Sequence, residues 1–488
     1  MIRISSLDEP FLEFGGGIRH TDIRFGLMDY GPFDAGLEGA PQRVRVGVVG
    51  SPETIDGTVA WLDACKTGLP AKKSKQPNLF PRFPGLGPEG AFRCDFSWPS
   101  ELQRTLLPLE TEKLIRISDH ADAIRQIVAL IAAEVRHLAD SNTRPDVVLV
   151  ALPLGVVERV VNKRVAAESQ HENTSEEEET SAAAVDFRAL LKAACMAVRL
   201  PIQVLWPTTY DSSLKISRKL KIANNRRVQD DATRAWNLLT ATYYKANGLP
   251  WRLVRDPKAL RTSYVGVSFY KSADGDAIHT STAQMFDERG EGLILRGGRA
   301  TESKEDRRPH LSEQDAYALL SHSLAVFYKT HGHYPARVVM HKTSNFNDDE
   351  ISGFDQALTE RNIDIGDFSY IGKTMTRLYR QGRYPPLRGT LIRFSKDEAA
   401  LYCRGSVDFF KTYPGMYVPR PLHIRCQKLA QPLKYIAEET LALTKMNWNN
   451  TQFDNGFPIT ISAARHVGEI LKYVDASQEI APRYSFYM

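Results

Sequence analysis

Short runs of β-branched and aromatic residues alternate along this chain with segments of helical periodicity. Residues 43–50 (RVRVGVVG) read as a strand that stops at Gly50. Ser51 can then cap a helix, and Pro52 is preorganised for its first turn. Residues 120–139 carry Ile124, Ile127, Val128, Leu130 and Ile131 on one broad apolar face, so a long amphipathic helix is expected. Residues 146–153 (DVVLVALP) and 201–206 (PIQVLW) read as two further buried strands. Strands alternating with helices predict a mostly parallel, Rossmann-like sheet. The punctuation Asn247-Gly-Leu-Pro250 places a boundary near residue 250, dividing residues 1–250 (an N-terminal segment plus a first domain) from a second domain over 251–488. There, residues 264–270 (YVGVSFY) and 337–343 (RVVMHKT) read as short buried strands. Asn347 with Glu350 three positions later has capping-box spacing, which accounts for those acids without a metal. No repeat of solenoid period occurs.

Composition narrows the classes. A chain of 488 residues with 42% hydrophobic content has room for two or three domains with sizeable cores. No apolar run approaches the length of a membrane span, and Met1-Ile-Arg-Ile opens no signal peptide, so a cytoplasmic protein is expected. Five scattered cysteines without CxxC spacing read as reduced structural thiols. The net charge of +5 understates the basic surface, because Glu172 and Glu176 to Glu179 cluster in residues 169–181, a polar run expected to be a solvated loop. The remainder suits a protein that neutralises phosphates. Gly85-Leu-Gly87-Pro-Glu-Gly90 matches the dinucleotide pattern GxGxxG. However, Pro81 and Pro84 precede it, Pro88 interrupts it and no helix follows, so it reads as a loop. His331-Gly-His333 reads as a turn.

The strongest candidate chemistry is cationic. Residues 186–196 (DFRALLKAACM) form a short amphipathic helix in which Arg188 and Lys192 are four apart and share a face. The next strand carries Gln203, and a helix over 235–245 ends near Lys245. Two cations, an amide and a further lysine can build a phosphate pocket. The same residues would also serve as solvated helix faces around one satisfied core glutamine.

Several segments, taken in order, resemble a known family. The first are residues 11–17 (FLEFGGG) and 25–32 (FGLMDYGP). Next comes His341-Lys342-Thr343-Ser344-Asn345-Phe346 with the acidic residues 347–350 and Ile351-Ser-Gly353. Residues 443–450 (LTKMNWNN) and 457–461 (FPITI) complete the set. Together they resemble a short prokaryotic Argonaute, reduced to MID and PIWI domains. The resemblance implies an α/β architecture with a Rossmann-like MID domain followed by an RNase H-like PIWI domain. It implies that Arg188, Lys192, Gln203 and Lys245 hold the 5′-phosphate of a guide, although the family usually has Tyr or His where this chain has Arg188. It further implies that the terminal carboxylate of Met488 helps hold a Mg²⁺ ion against that phosphate; a tail simply packed by its aromatics is the alternative.

The resemblance also locates a loss. The two strands of the second domain end where such a nuclease carries metal-binding aspartates, and this chain has Ser268 and Thr343 there. Hydroxyls cannot supply the charge that a two-metal site needs. No acid aligns at Ser462-Ala463, His466 falls a few residues late, and the family's mobile glutamate has no clear counterpart, with Glu288 and Glu291 in a loop. The expected function is RNA-guided recognition of complementary DNA without cutting, with an APAZ-containing partner that carries a TIR, sirtuin-like or nuclease effector in defence against invading DNA. An active nuclease with displaced carboxylates is one alternative, and a nucleotide-binding α/β enzyme is another.

Overall fold

A computed structural model describes residues 2–161, 185–216, 229–254, 258–273, 275, 277–286, 292–381, 385–410, 418–452, 456–475 and 478–488. The expected acidic loop over 169–181, and Glu288 and Glu291, lie outside the described residues. The chain forms two compact units. One comprises Ala35–Gly248, Tyr473–Ala481 and Met488; the other comprises Met1–Asp34, Leu249–Lys472 and Pro482–Tyr487. The first thirty-four residues, read from the sequence with 35–250, therefore pack with the second unit. The reason is long-range pairing, described below for Arg3–Ser6.

The first unit is built on parallel strands. Strand Arg43–Gly50 lies beside Val147–Ala151, which in turn pairs with Ile202–Leu205. The other side of Arg43–Gly50 takes Asp95–Ser97 along its start and Gln103–Thr105 along its end, again in parallel. Helix Pro52–Thr67 starts as the sequence predicts, with the Ser51 side chain accepting from the Thr54 N–H. Helix His120–Ala139 matches its expected span and buries Ile124, Ile127, Val128 and Ile131 in a core shared with Val148, Val150, Leu191 and Ile202. Residues 85–90 form a loop, and Gly85 and Gly87 adopt φ of 106° and 100°, values open to glycine and rare elsewhere.

The second unit contains a ten-stranded sheet. Toward one edge an antiparallel hairpin, Ile278–Phe286 with Gly292–Glu302, joins strand Thr262–Lys271, which runs parallel to Arg337–Lys342 and then to Ile365–Lys373. This order, a hairpin followed by parallel neighbours, is that of an RNase H-like sheet. Strands Leu422–Lys428, Glu398–Leu401, Thr390–Arg393 and Arg3–Ser6 extend it antiparallel. Helix Ile459–Leu471 lies tight against strand Thr262–Lys271, because Gly266 has no side chain: a Cβ there would stand 2.1 Å from the Thr460 carbonyl oxygen. Asn347 and Glu350 form the expected capping box on helix Asp348–Thr359. Gly332, at φ 74°, ends helix Glu313–His331, so residues 331–333 do form a turn.

All five cysteines are buried and unpaired as disulfides. Among the described residues no helix is long and apolar enough to cross a membrane.

A candidate phosphate-binding cluster and a hydroxyl-lined sheet end

Asp186 caps helix Phe187–Met196, its side chain accepting from the Ala189 N–H at 3.0 Å. The Asp186 N–H in turn donates to the Tyr473 hydroxyl at 2.8 Å, and Arg199 pairs with Glu479 at 3.0 Å. Tyr473 and Glu479 thereby fix the start and the far end of the helical segment that carries Arg188 and Lys192. Nothing local in the sequence signals this contact, which spans 287 positions.

Lys245 ends helix Asp231–Lys245, where a cation complements the partial negative charge of the helix terminus. Its side chain is only 2% exposed. The ammonium donates to the Gln203 Oε1 and, at 3.1 Å, to the terminal residue's oxygen on Met488. Gln203 comes from strand Ile202–Leu205, so strand, helix and Met488 meet at one point.

Arg188 and Lys192 join the same cluster electrostatically. Burial pushes the Lys192 amine down to about 7, with the Arg188 charge adding to the effect and Asp186 opposing it. Burial, then Lys192 and Arg188, hold Lys245 well below its ordinary value. Arg188 is exposed at the surface, while burial of its charge lowers its pKa and Asp186 opposes that. Arg188 thus depresses both lysines and Lys192 depresses Lys245, with Asp186 beside the first pair and the Met488 oxygen on Lys245. Such a cluster is completed by an anion rich in acceptors, and a phosphate monoester fits that description. Among the described residues no group of three His, Cys, Asp or Glu side chains could hold a metal ion, so the expected Mg²⁺ would need oxygens from the guide phosphate beside the Met488 oxygen.

The second candidate region is the end of the central strands in the other unit. Val267 pairs with Lys342, and the Thr343 N–H donates to the Val267 carbonyl at 3.2 Å. Ser268 and Thr343 therefore sit side by side, one step past the last paired rung. Ser268 is buried and opposes Ser281, which opposes Arg296 on the next strand. The Ser281 hydroxyl donates to the Ala464 carbonyl at 2.7 Å, within helix Ile459–Leu471. On that helix Ser462 is half-buried, Ala463 buried and His466 exposed. Among the described residues no group of three His, Cys, Asp or Glu side chains could hold a metal ion. At this sheet end Ser268 and Thr343 offer neutral hydroxyls where a two-metal site takes carboxylates. Ser281 and Arg296 were not singled out by the sequence; only strand register brings them beside Ser268.

No protein-family model and no curated protein matches this chain in sequence. Solved structures do. Clostridium butyricum Argonaute, in a structure with a guide DNA and a 19-mer target DNA, superposes over 97% of this chain and 53% of its own, with a TM-score of 0.65 and 15% identity. Drosophila Piwi matches 99% of this chain and 56% of its own at a TM-score of 0.59 and 11% identity. The A. aeolicus Argonaute matches 98% of this chain and 54% of its own at 0.55 and 15%. The chain spans about half the length of these structures. A Rossmann-like unit and an RNase H-like unit, matched together over nearly the whole chain, give this protein the fold shared by Argonaute and Piwi proteins.

Proposed function

We propose that the protein holds a guide nucleic acid by its 5′-phosphate and uses it to recognise a complementary strand without cutting it. The observation that carries this reading is the cluster in the first unit. Arg188, Lys192 and Lys245 crowd three cations together, with Lys245 bonded to Gln203 and to the Met488 main-chain oxygen. Binding a terminal phosphate relieves the mutual repulsion and supplies acceptors for every donor. Sequence is then read by base pairing, while the protein holds backbone. The hydroxyls of Ser268 and Thr343 support the silent half of the proposal, because neither ligates a divalent ion as a carboxylate does.

The guide is RNA and the target single-stranded DNA in this proposal. Output comes from a separate cytoplasmic APAZ-containing protein linked to a TIR, sirtuin-like or nuclease effector, switched on by target recognition as a defence against invading DNA. The test begins with nucleic acid extracted from the purified full chain, its length and 5′ end determined. Short 5′-phosphorylated RNA is expected, together with complementary DNA binding and no cleaved product in Mg²⁺ or Mn²⁺. Absence of bound or bindable guide would overturn the proposal, and a sequence-specific product would overturn its silent half.

A further inference from the structure

Strand Arg3–Ser6 closes one edge of the ten-stranded sheet, and all four of its residues are exposed. On its inner side it pairs with Thr390–Arg393, and the next residue continues the ladder, the Leu7 N–H donating to the Gly389 carbonyl at 2.9 Å. Antiparallel pairing alternates, so odd-numbered residues direct their backbone groups to that neighbour. Ile4 and Ser6 turn their N–H and C=O groups outward, and no described strand takes them. Protein sheets normally blunt such an edge with charge, proline or a covering segment. Here the edge is flanked by two large apolar side chains, Ile2 at 64% and Ile4 at 61% exposed.

The two faces of this strand differ. Ile4 stands opposite Ile392, and Ile392 is buried in a small apolar cluster with Ala400 and Tyr402. Ile4 therefore extends that cluster to the rim of the sheet, where it ends in solvent. On the other face Arg3 stands directly opposite Arg393, and both are exposed. Like charges directly opposite across a strand pair repel, so this face is improved by a carboxylate arriving beside them.

We infer that this edge receives an additional β-strand from the effector-linked partner, one with apolar residues facing Ile2 and Ile4 and an acidic residue facing Arg3 and Arg393. The inference rests on the two-component reading above. Main-chain hydrogen bonds to Ile4 and Ser6 supply affinity, and the alternating side chains supply register. A second copy of this chain is a poorer occupant, since its own Arg3 and Arg393 would add like charge to the same face. A nucleic-acid strand would meet the arginines but leave Ile2 and Ile4 in water.

The full chain, wild type and Ile4→Pro, is co-expressed with the protein encoded beside it and purified through a tag on that protein. Proline at position 4 removes an N–H that faces away from the existing ladder, so the sheet itself is kept. Expected results are retention of the wild type, at least tenfold weaker retention of Ile4→Pro with unchanged guide binding, and at least tenfold slower exchange of the Ile4 and Ser6 amides in the complex. Arg3→Glu is expected to weaken the complex too. A complex that forms equally with both chains and leaves those amides exchanging freely overturns the edge pairing but not the two-component reading. No complex with the wild type overturns both. Slowed exchange on adding guide alone points to nucleic acid instead and overturns the inference. If Ile4→Pro does not fold, Ile4→Asp and the wild-type exchange rates decide.

Discussion

The Lys245 ammonium donates at 3.1 Å to an oxygen of Met488, the last residue in the sequence, and also to the side chain of Gln203. A lysine this buried is stable as a cation only where acceptors surround it. A terminal phosphate adds acceptors of higher charge. Replacing it, Lys245→Met, is expected to cost 5′-phosphorylated guides at least tenfold in affinity, since a charged hydrogen bond contributes about 1.5–3 kcal/mol. Guides with a 5′-hydroxyl should change much less. Binding assays with the two guide types decide this. Equal losses would make Lys245 a general scaffold residue.

Extending the chain beyond Met488 should act through the same contact. Added residues would crowd the Met488 oxygen that accepts from the Lys245 ammonium. The preference for a 5′-phosphate is expected to change by severalfold, measured as the affinity ratio of the two guide types. An unchanged ratio means that the terminus has no part in the pocket.

Lys192 gives the site a pH dependence. In the free protein its amine titrates at about 7, lowered by burial and by Arg188. A phosphate dianion beside it stabilises the ammonium and raises that value, so binding takes up a proton. Affinity for 5′-phosphorylated guides is therefore expected to fall as pH rises above 7, by up to tenfold per unit, and Lys192→Arg should flatten the profile. For the free protein the sign is reversed. The depressed lysine costs stability at pH below its folded value, and the cost is relieved as pH climbs toward the unfolded value. Guide titrations between pH 6 and 9 check the first statement, and denaturant titrations of the free protein check the second.

Much of this was legible in the chain because the signals were local. The periodicity of residues 120–139 defines its helix end to end, and the β-branched run at 43–50 defines its strand. Spacing put Arg188 and Lys192 on one helix face, and only the family resemblance joined them with Gln203 and Lys245. What escaped is pairing over long distances. Strand Arg3–Ser6 is exposed on both faces, so it lacks an alternating pattern, and its partner lies almost 390 positions on. Tyr473, which ties down Asp186, looks like any aromatic residue near a helix end. The Ser268–Ser281–Arg296 row exists only through register.

The second unit should depend on Arg337. Its guanidinium donates to Asp367 at 2.8 Å and to both oxygens of Glu439 at 2.6 and 2.9 Å, and the side chain is buried. Arg337→Met strands Asp367 without its cation, and breaking a buried pair in this way costs about 3–5 kcal/mol. Chemical denaturation is expected to show a loss of this size. The triple variant with Asp367→Asn and Glu439→Gln should recover part of it, because it removes the uncompensated charges. A loss below about 1 kcal/mol would show that the network is tolerant of its own removal.

Restoring a single acid should not restore cutting. Ser268→Asp places a carboxylate on a buried strand end whose neighbours are the hydroxyls of Ser281 and Thr343 and the backbone of helix Ile459–Leu471. One carboxylate cannot hold two divalent ions, and a buried charge without a partner raises its own pKa until it is neutral. The expected outcome is lower stability, unchanged guide binding and no cleavage with guide, complementary target and Mn²⁺. The double variant Ser268→Asp with Thr343→Asp puts two carboxylates on adjacent strands and is the more demanding experiment. It is expected to gain measurable Mn²⁺ binding by calorimetry while still lacking turnover, because at the aligned position the helix carries Ser462 and Ala463, with the exposed His466 further on. Cleavage by the single variant would mean that other carboxylates already stand ready at this sheet end, and the silent reading of the unit would fall.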